Sequence, residues 1–332
     1  MNYIGSKNKL SSWIKECVLK TYKEPLSDAV FCDLFAGTGA VARSFKTDVK
    51  QVIANDIEYY SYALLRNYIG NHQSIKLDTL LETLNQLKGK SGFITTHYAE
   101  DGEAERMYFT KENGQKIDAI RLQIEQWKTA QEIHEDTYFF LLASLLESAD
   151  KVANTASVYG AYLKKIKTSA AKTLVLEPAV FEKTTTGHLV FQEDANVLIK
   201  KISGDILYLD PPYNARQYGA NYHLLNTIAK MDTFVPSGKT GLREYAKSNY
   251  CKKGEVAKSF ADLLANAQFR YIYLSYNNEG LMSQTEVEKI MKRFGNYHLE
   301  TKKYQRFKAD KTESRNHKAT FTNEFLHLLE KR

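Results

Sequence analysis

Val30-Phe31-Cys32-Asp33-Leu34-Phe35-Ala36-Gly37-Thr38-Gly39-Ala40-Val41-Ala42-Arg43-Ser44-Phe45 joins an apolar run, Val30 to Phe35, through a glycine turn to a helical pattern from Gly39 to Phe45. Glycine tolerates the backbone angles of a sharp turn and lets a ligand approach the main chain closely. An amphipathic stretch from about Lys9 to Lys20 precedes this unit, and a second apolar run, Val52 to Ala54, and a helical pattern over Tyr59 to Tyr68 follow it. The pattern is strand, turn, helix, strand. It resumes downstream with Leu189 to Gln192, Ala195 to Ile202, Ile206 to Leu209, a helix over Tyr222 to Lys230, Tyr271 to Ser275, and a helix over Gln284 to Arg293. Such alternation predicts an α/β fold, a doubly wound and mostly parallel sheet with helices on both faces. The closing stretch, Thr320 to Leu329, has strand character and is expected to supply an antiparallel edge.

Between the two alternating regions the texture changes. Helical patterns over Ile75 to Leu87, Ile117 to Thr129 and Asp136 to Val152 are separated by a polar, glycine- and charge-rich segment around Glu100 to Gly114. This predicts an inserted, mainly helical lobe over residues 71–187, with the sheet domain formed by 1–70 and 188–332. A chain of 332 residues can bury a core large enough for both. Its net charge of +7 suits a polyanionic partner, and its 22 tyrosines can stack on bases. Cys17, Cys32 and Cys251 are too far apart to suggest a disulfide framework or a metal site, and the eight histidines show no metal-ligand spacing, so no metal is expected. No basic start followed by an apolar segment opens the chain, and no run reaches the 18 apolar residues of a membrane span. A soluble protein of the cytoplasm, without a membrane partner, is therefore expected.

Two constellations carry chemistry. Asp33 to Ala40 places an acid and two glycines at the carboxyl edge of the first strand, where open α/β sheets bind ligands. Asp56, ending the next strand in Ala54-Asn55-Asp56, is placed to accept hydrogen bonds from ribose hydroxyls. The third glycine of a dinucleotide fingerprint is missing, so a compact nucleoside fits better than a dinucleotide. The second constellation is Asp210-Pro211-Pro212-Tyr213, directly after the apolar strand Ile206-Leu207-Tyr208-Leu209. Two prolines end the strand in a stiff segment with its carbonyls fixed in direction. An exocyclic amine such as N6 of adenine is a poor nucleophile, because its lone pair is delocalised into the ring. The Asp210 carboxylate and the Pro211 carbonyl, each accepting one N–H, would draw that nitrogen toward tetrahedral geometry, while the Tyr213 ring stacks on the base.

With these motifs in this order, the sequence resembles the N6-adenine DNA methyltransferases, in the group that runs from an N-terminal cofactor motif to a Gly-rich motif, a target-recognition region and then DPPY. The N-terminal motif here is Tyr3-Ile4-Gly5-Ser6-Lys7. The resemblance implies a Rossmann-like fold that binds S-adenosyl-L-methionine through Tyr3, Gly5, Lys7, Asp33, Phe35, Ala36, Gly37, Gly39, Asp56 and Asp210. It implies Asp194 beside the cofactor's adenine, with the neighbouring Glu193 left open. It also implies Asp210, Pro211, Pro212 and Tyr213 as the catalytic set and the 71–187 lobe as the target-recognition region.

Double-stranded DNA is the implied partner, with the target adenine flipped out of the helix. Arg216, Gln217, Tyr218, Asn221 and Tyr222, just after DPPY, are candidate DNA contacts. The basic run Lys302 to Lys308, including Arg306 and Lys308, is a candidate phosphate track, and Ser275-Tyr276-Asn277-Asn278 is expected to shape the adenine pocket. A prokaryotic or phage enzyme, either solitary or accompanied by a cognate restriction endonuclease acting separately, is expected. Cytosine C5 chemistry is excluded, since it needs a cysteine nucleophile, usually after proline, and none here follows proline. N4-cytosine or RNA exocyclic-amine transfer, and a catalytically silent DNA-binding module, are the alternatives; the leading aspartate of the motif favours DNA adenine.

Overall fold

A computed structural model describes residues 7–77, 79–305 and 321–332. Its seven strands are β1 (Val30–Asp33), β2 (Gln51–Asn55), β3 (Leu189–Phe191), β4 (Ser203–Leu209), β5 (Gln268–Asn277), β6 (Gly295–Gln305) and β7 (Phe321–Lys331). They form one sheet in the order β3-β2-β1-β4-β5-β7-β6. The first five strands in that order pair in parallel, with Cys32 opposite Ile53 and Leu207, and Tyr208 opposite Tyr273. The last two pairings are antiparallel. The order reverses between β1 and β4, which is where an open α/β sheet leaves a crevice at its strand ends.

Alternating residues of each central strand explain why they read as unbroken apolar runs. Phe31, Ile206, Tyr208, Tyr271 and Tyr273 point into one core, beneath α1 (Ser11–Thr21) and α2 (Ala40–Phe45). Cys32, Leu207, Leu209, Ile272 and Leu274 point into the other. That second core is completed by a single turn, α8 (Ala195–Leu198), with α11 (Val256–Asn266) and α12 (Gln284–Met291). Both faces are covered, so neither can be polar. The sequence reading missed α11, although its buried Val256, Phe260, Leu263 and Leu264 have the i, i+4, i+7, i+8 spacing of a half-buried helix.

The remaining helices are α3 (Tyr59–Leu65), continued by one wide turn over Arg66–Gly70, α4 (Leu80–Gln86), α5 (Phe93–Tyr98), α6 (Lys111–Thr129), α7 (Glu135–Lys151), α9 (Tyr218–Asn221) and α10 (His223–Lys230). The inserted helices share a third core with Tyr60, Ala63 and Leu64 of α3 and Leu224, Leu225 and Ile228 of α10. Residues 153–188, which follow them, contain no helix or strand. Side chains take the place of a neighbouring strand there. Asn85 accepts from Leu176 N at 2.8 Å and donates to Leu176 O at 3.0 Å. Asn113 does the same for Leu174 N and Lys172 O. Ser144 and Ser148, one turn apart on α7, accept from Ala179 N and Glu177 N at 3.0 Å. Four polar side chains thus satisfy an extended backbone that lies across helices.

One expectation is corrected. β7 is antiparallel, as read, but it is not the edge: β6 lies outside it and pairs with it from Gly295↔Lys331 to Gln305↔Phe321. Lys302 and Lys303 of the basic run therefore lie on an outer strand, a position where lysine discourages further strand pairing. No described helix is long and apolar enough to cross a membrane.

Candidate active site

β1 ends at Asp33 and the chain turns through Gly37 (φ 53°) and Gly39 (φ 80°) into α2. Both angles lie in the left-handed region that a side chain disfavours. An added Cβ on Gly39 would also sit 2.9 Å from the Leu65 side chain. Two side chains from β2 and its following loop brace the turn. Asp56 accepts from Gly37 N through Oδ2 and from Glu58 N through Oδ1, each at 2.9 Å. Asn55, almost fully buried, donates to Leu34 O at 3.1 Å and Glu193 O at 3.0 Å and accepts from Glu193 N. One amide therefore ties together the ends of β1, β2 and β3. The sequence reading passed over Asn55, because its partners lie far from it along the chain.

The acids of this turn are buried. Asp33 is 1% exposed; its Oδ2 accepts from Ala42 N at 3.1 Å, whereas its Oδ1 has no hydrogen-bond partner among the described residues. Burial, with the nearby Asp210 and Asp56 charges, raises the Asp33 carboxyl well above the usual range, opposed only by the Ala42 bond. Asp56 is pushed up to about 6 by burial, against its backbone N–H bonds. Glu58, absent from the sequence reading, is pushed up to about 7 by burial. It accepts from Asn226 Nδ2 at 2.6 Å, which links the turn to α10.

Asp210 lies just past the end of β4, the neighbour of β1, so the two motifs meet across adjacent strand ends. Lys7 Nζ is 3.0 Å from Asp210 Oδ1, with the side chains 7% and 19% exposed. Burial alone would lower the lysine, but the Asp210 and Glu324 carboxylates outweigh it and hold Lys7 above its ordinary value. Asp210 is raised by its own burial, with Lys7 pulling the other way. Glu324, on β7, is itself buried and raised, and it too escaped the sequence reading. Tyr213 O accepts from Leu281 N at 2.9 Å, which fixes the end of the DPPY segment.

Lys7, Asp33, Phe35, Ala36, Gly37, Asp56, Asp194, Asp210 and Pro212 all line one cleft. Its far wall comes from a distant segment, Ala246 to Tyr250, where no motif is visible in the sequence. Tyr250 meets Phe35 edge to face at 5.0 Å and donates to Asn196 Oδ1 at 2.9 Å. Asp194 caps α8, accepting from Asn196 N at 2.9 Å and Val197 N at 3.2 Å through Oδ1. Glu193 has both carboxylate oxygens on Lys201 Nζ, at 2.8 and 2.9 Å.

The segment after DPPY divides by exposure. Arg216 is exposed, and Asn221 and Tyr218 are half-buried, with Tyr218 lining the cleft. Gln217 exchanges two bonds with the Ser248 backbone, accepting from its N–H at 2.9 Å and donating to its carbonyl at 3.4 Å, and so holds the far wall in place. Tyr222 has no exposed surface; its ring lies 5.6 Å from that of Tyr60 and 6.3 Å from that of Tyr159, so it supports the loop from within the core rather than facing solvent. Ser275, Tyr276 and Asn277 end β5 as buried side chains and do not line the cleft. Tyr3, Gly5, Arg306 and Lys308 lie outside the described residues.

Comparison with known proteins agrees with this geometry. Residues 3–290 match the family described as D12 class N6 adenine-specific DNA methyltransferase. Over 332 residues the chain is 64% identical to the type II methyltransferase M.NlaIII of Neisseria lactamica, covering 100% of this chain and 99% of that protein. It is 42% identical over 313 residues to the type II methyltransferase M.CviAII of Paramecium bursaria Chlorella virus 1, covering 93% of each. To the type II methyltransferase M.FokI of Planomicrobium okeanokoites it is 41% identical over 325 residues, covering 93% of this chain and 50% of that relative.

Proposed function

The chain belongs to the D12 class N6 adenine-specific DNA methyltransferases and methylates adenine in DNA, and from that premise we propose that S-adenosyl-L-methionine and a flipped-out adenine meet in the cleft between the Gly37 turn and Asp210. One observation carries the reading. Asp33, whose buried Oδ1 has no hydrogen-bond partner among the described residues, lines a cleft that also contains the DPPY acid, as expected of an acceptor kept for a cationic ligand group. The residues present fit the cofactor. Asp33 would take its amino group, and the two oxygens of Asp56 retain lone pairs for ribose hydroxyls. Phe35, Ile57 and Tyr250 supply apolar walls for its adenine. Asp194 is the better acceptor at that ring's edge, because Glu193 is neutralised by Lys201. Bound there, the cofactor supplies a methyl group already activated by its sulfonium.

The chain's own task is then positioning. Lys7 holds Asp210 through Oδ1, which fixes the carboxylate so that Oδ2 can accept one N6–H of adenine. The Pro211 carbonyl takes the other N–H, and Tyr213, anchored through its own carbonyl, stacks on the base. Tyr218, which lines the cleft, and its neighbours Arg216 and Asn221 are proposed DNA contacts. Residues 71–187 are proposed as the target-recognition lobe.

The related type II enzymes favour a role in the cytoplasm that protects DNA from a separate endonuclease of the same specificity. Single-molecule sequencing of DNA from cells expressing the protein tests this reading, with N6-methyladenine expected at one short motif that becomes resistant to such a nuclease. Unmodified adenine throughout, or no S-adenosyl-L-methionine binding by calorimetry, would overturn it.

A further inference from the structure

Between Asp150 and Glu177 the chain carries five lysines, Lys151, Lys164, Lys165, Lys167 and Lys172, and no aspartate or glutamate. A solvated surface normally mixes both signs of charge. Two of the five have partners: Lys151 pairs with Glu177 at 2.6 Å, and Lys167 Nζ donates to Thr155 O at 2.7 Å. Lys164 and Lys165 stand side by side and exposed.

The loop that presents them is rigidly built. Asn154, fully buried, donates to Met107 O and Leu163 O at 2.9 Å and accepts from Lys167 N at 3.0 Å. Leu163 N returns a bond to Asn154 O at 3.0 Å. One buried residue therefore clamps both ends of the 164–166 bend. Ser157 in the same loop has φ 80°, a conformation that a side chain adopts only when its surroundings enforce it.

This loop is also joined to the segment that follows DPPY. Tyr159 N donates to Asn221 O at 2.8 Å, and Tyr159 O bonds His223 Nε2 at 3.0 Å. The loop that carries the lysine pair is thus bonded to the Arg216 to Asn221 segment, whose Tyr218 lines the cleft.

We propose that the 155–167 loop grips the phosphate backbone of duplex DNA through Lys164 and Lys165, holding the helix while the target adenine enters the cleft. The proposal rests on the DNA-methylating reading above and names the part of the lobe that meets the duplex. Clamped ends matter, because a cation held in place loses less freedom on meeting a phosphate than one on a mobile tip.

The test compares the parent, Lys164→Gln/Lys165→Gln, and a charge-matched control, Lys258→Gln/Lys289→Gln, on the exposed faces of α11 and α12. DNA affinity is measured between 50 and 200 mM salt by fluorescence anisotropy with a duplex carrying the methylation site, conditions set at roughly the range where counterion release is resolved. Loss of two phosphate contacts is expected to make the slope of log affinity against log salt shallower by about 1.8. The control should keep both the parent slope and the parent kcat at saturating DNA. An unchanged slope in the Lys164/Lys165 variant, or an equal loss in the control, overturns the proposal. Methyl transfer by the parent is scored separately: its absence defeats the functional reading, whereas the slope reports binding alone and decides this proposal in either case. Equal binding of duplex RNA with the same slope change would also overturn the assignment to DNA.

Discussion

Asp210→Asn keeps the size and shape of the side chain and removes one negative charge, which isolates the role of the carboxylate. In the folded protein that charge faces Lys7 Nζ at 3.0 Å, with both side chains largely buried. Removing one partner of a buried pair commonly costs about 3–5 kcal/mol. Glu324 remains near Lys7, so a loss at the low end, about 3 kcal/mol, is expected. The effect on transfer has a different origin. An amide oxygen still accepts a hydrogen bond, but it lacks the charge that draws the adenine amine toward tetrahedral geometry. Loss of one preorganised electrostatic contact typically slows a reaction by about 10²–10³-fold, or about 3–4 kcal/mol of barrier. Single-turnover transfer of a tritiated methyl group, normalised to the folded fraction from urea unfolding, measures the second effect apart from the first. Calorimetry should show cofactor binding preserved. A variant that turns over at the parent rate would remove the carboxylate from the chemistry and with it the reasoning above.

Two other perturbations test the Gly37 turn. Glu58 is pushed up to about 7, above its ordinary 4.5, so folding favours its protonated form; that stabilisation is complete below about pH 4.5 and lost as pH rises through 7. Glu58→Gln, whose amide can still accept from Asn226, is expected to gain on the parent as pH rises, by up to about 3 kcal/mol; a difference in urea stability that stays constant from acid to neutral pH would contradict this. Gly37→Val forces a β-branched side chain to φ 53° at the ligand-facing turn. Relieving about 1–2 kcal/mol of left-handed strain by distorting the turn should lower cofactor affinity by about 5- to 30-fold in calorimetry, and parent-like affinity would take this turn out of the cradle.

The parts of the molecule legible in the sequence were those decided by neighbouring residues. β1, β4 and β5 show as apolar runs because both faces of the sheet are covered, and the glycine turn and DPPY show because each needs specific residue types in succession. Pairing decided by distant segments did not show. β7 has the composition of a strand, but its place between β5 and β6 depends on partners that composition does not encode. β6 looked like a basic surface because its polar residues conceal a strand stabilised through its backbone. Asn55, Glu58 and Tyr250 in the cleft, and Glu324 acting on Lys7 from β7, were invisible for the same reason: each matters through something remote in sequence. Gln217 and Tyr222 follow a motif directly in sequence, but what the fold does with them was not visible there: Gln217 holds the Ser248 backbone and Tyr222 packs in the core.

The segment over 153–188 has a consequence for how such an enzyme can change. Its main chain is suspended from hooks, Asn85, Asn113, Ser144 and Ser148 on the helices beneath and Asn154 at its own start, rather than woven into a sheet whose register every residue must respect. Exposed residues between the hooks can be exchanged while the mounting, and the buried Tyr159, Leu174, Leu176 and Ala179 packed beneath it, stay intact. On the proposed role of residues 71–187 in target recognition, a lineage would acquire a new vocabulary of DNA words by rewriting the exposed part of that suspended text, leaving the machinery that writes the methyl mark unedited.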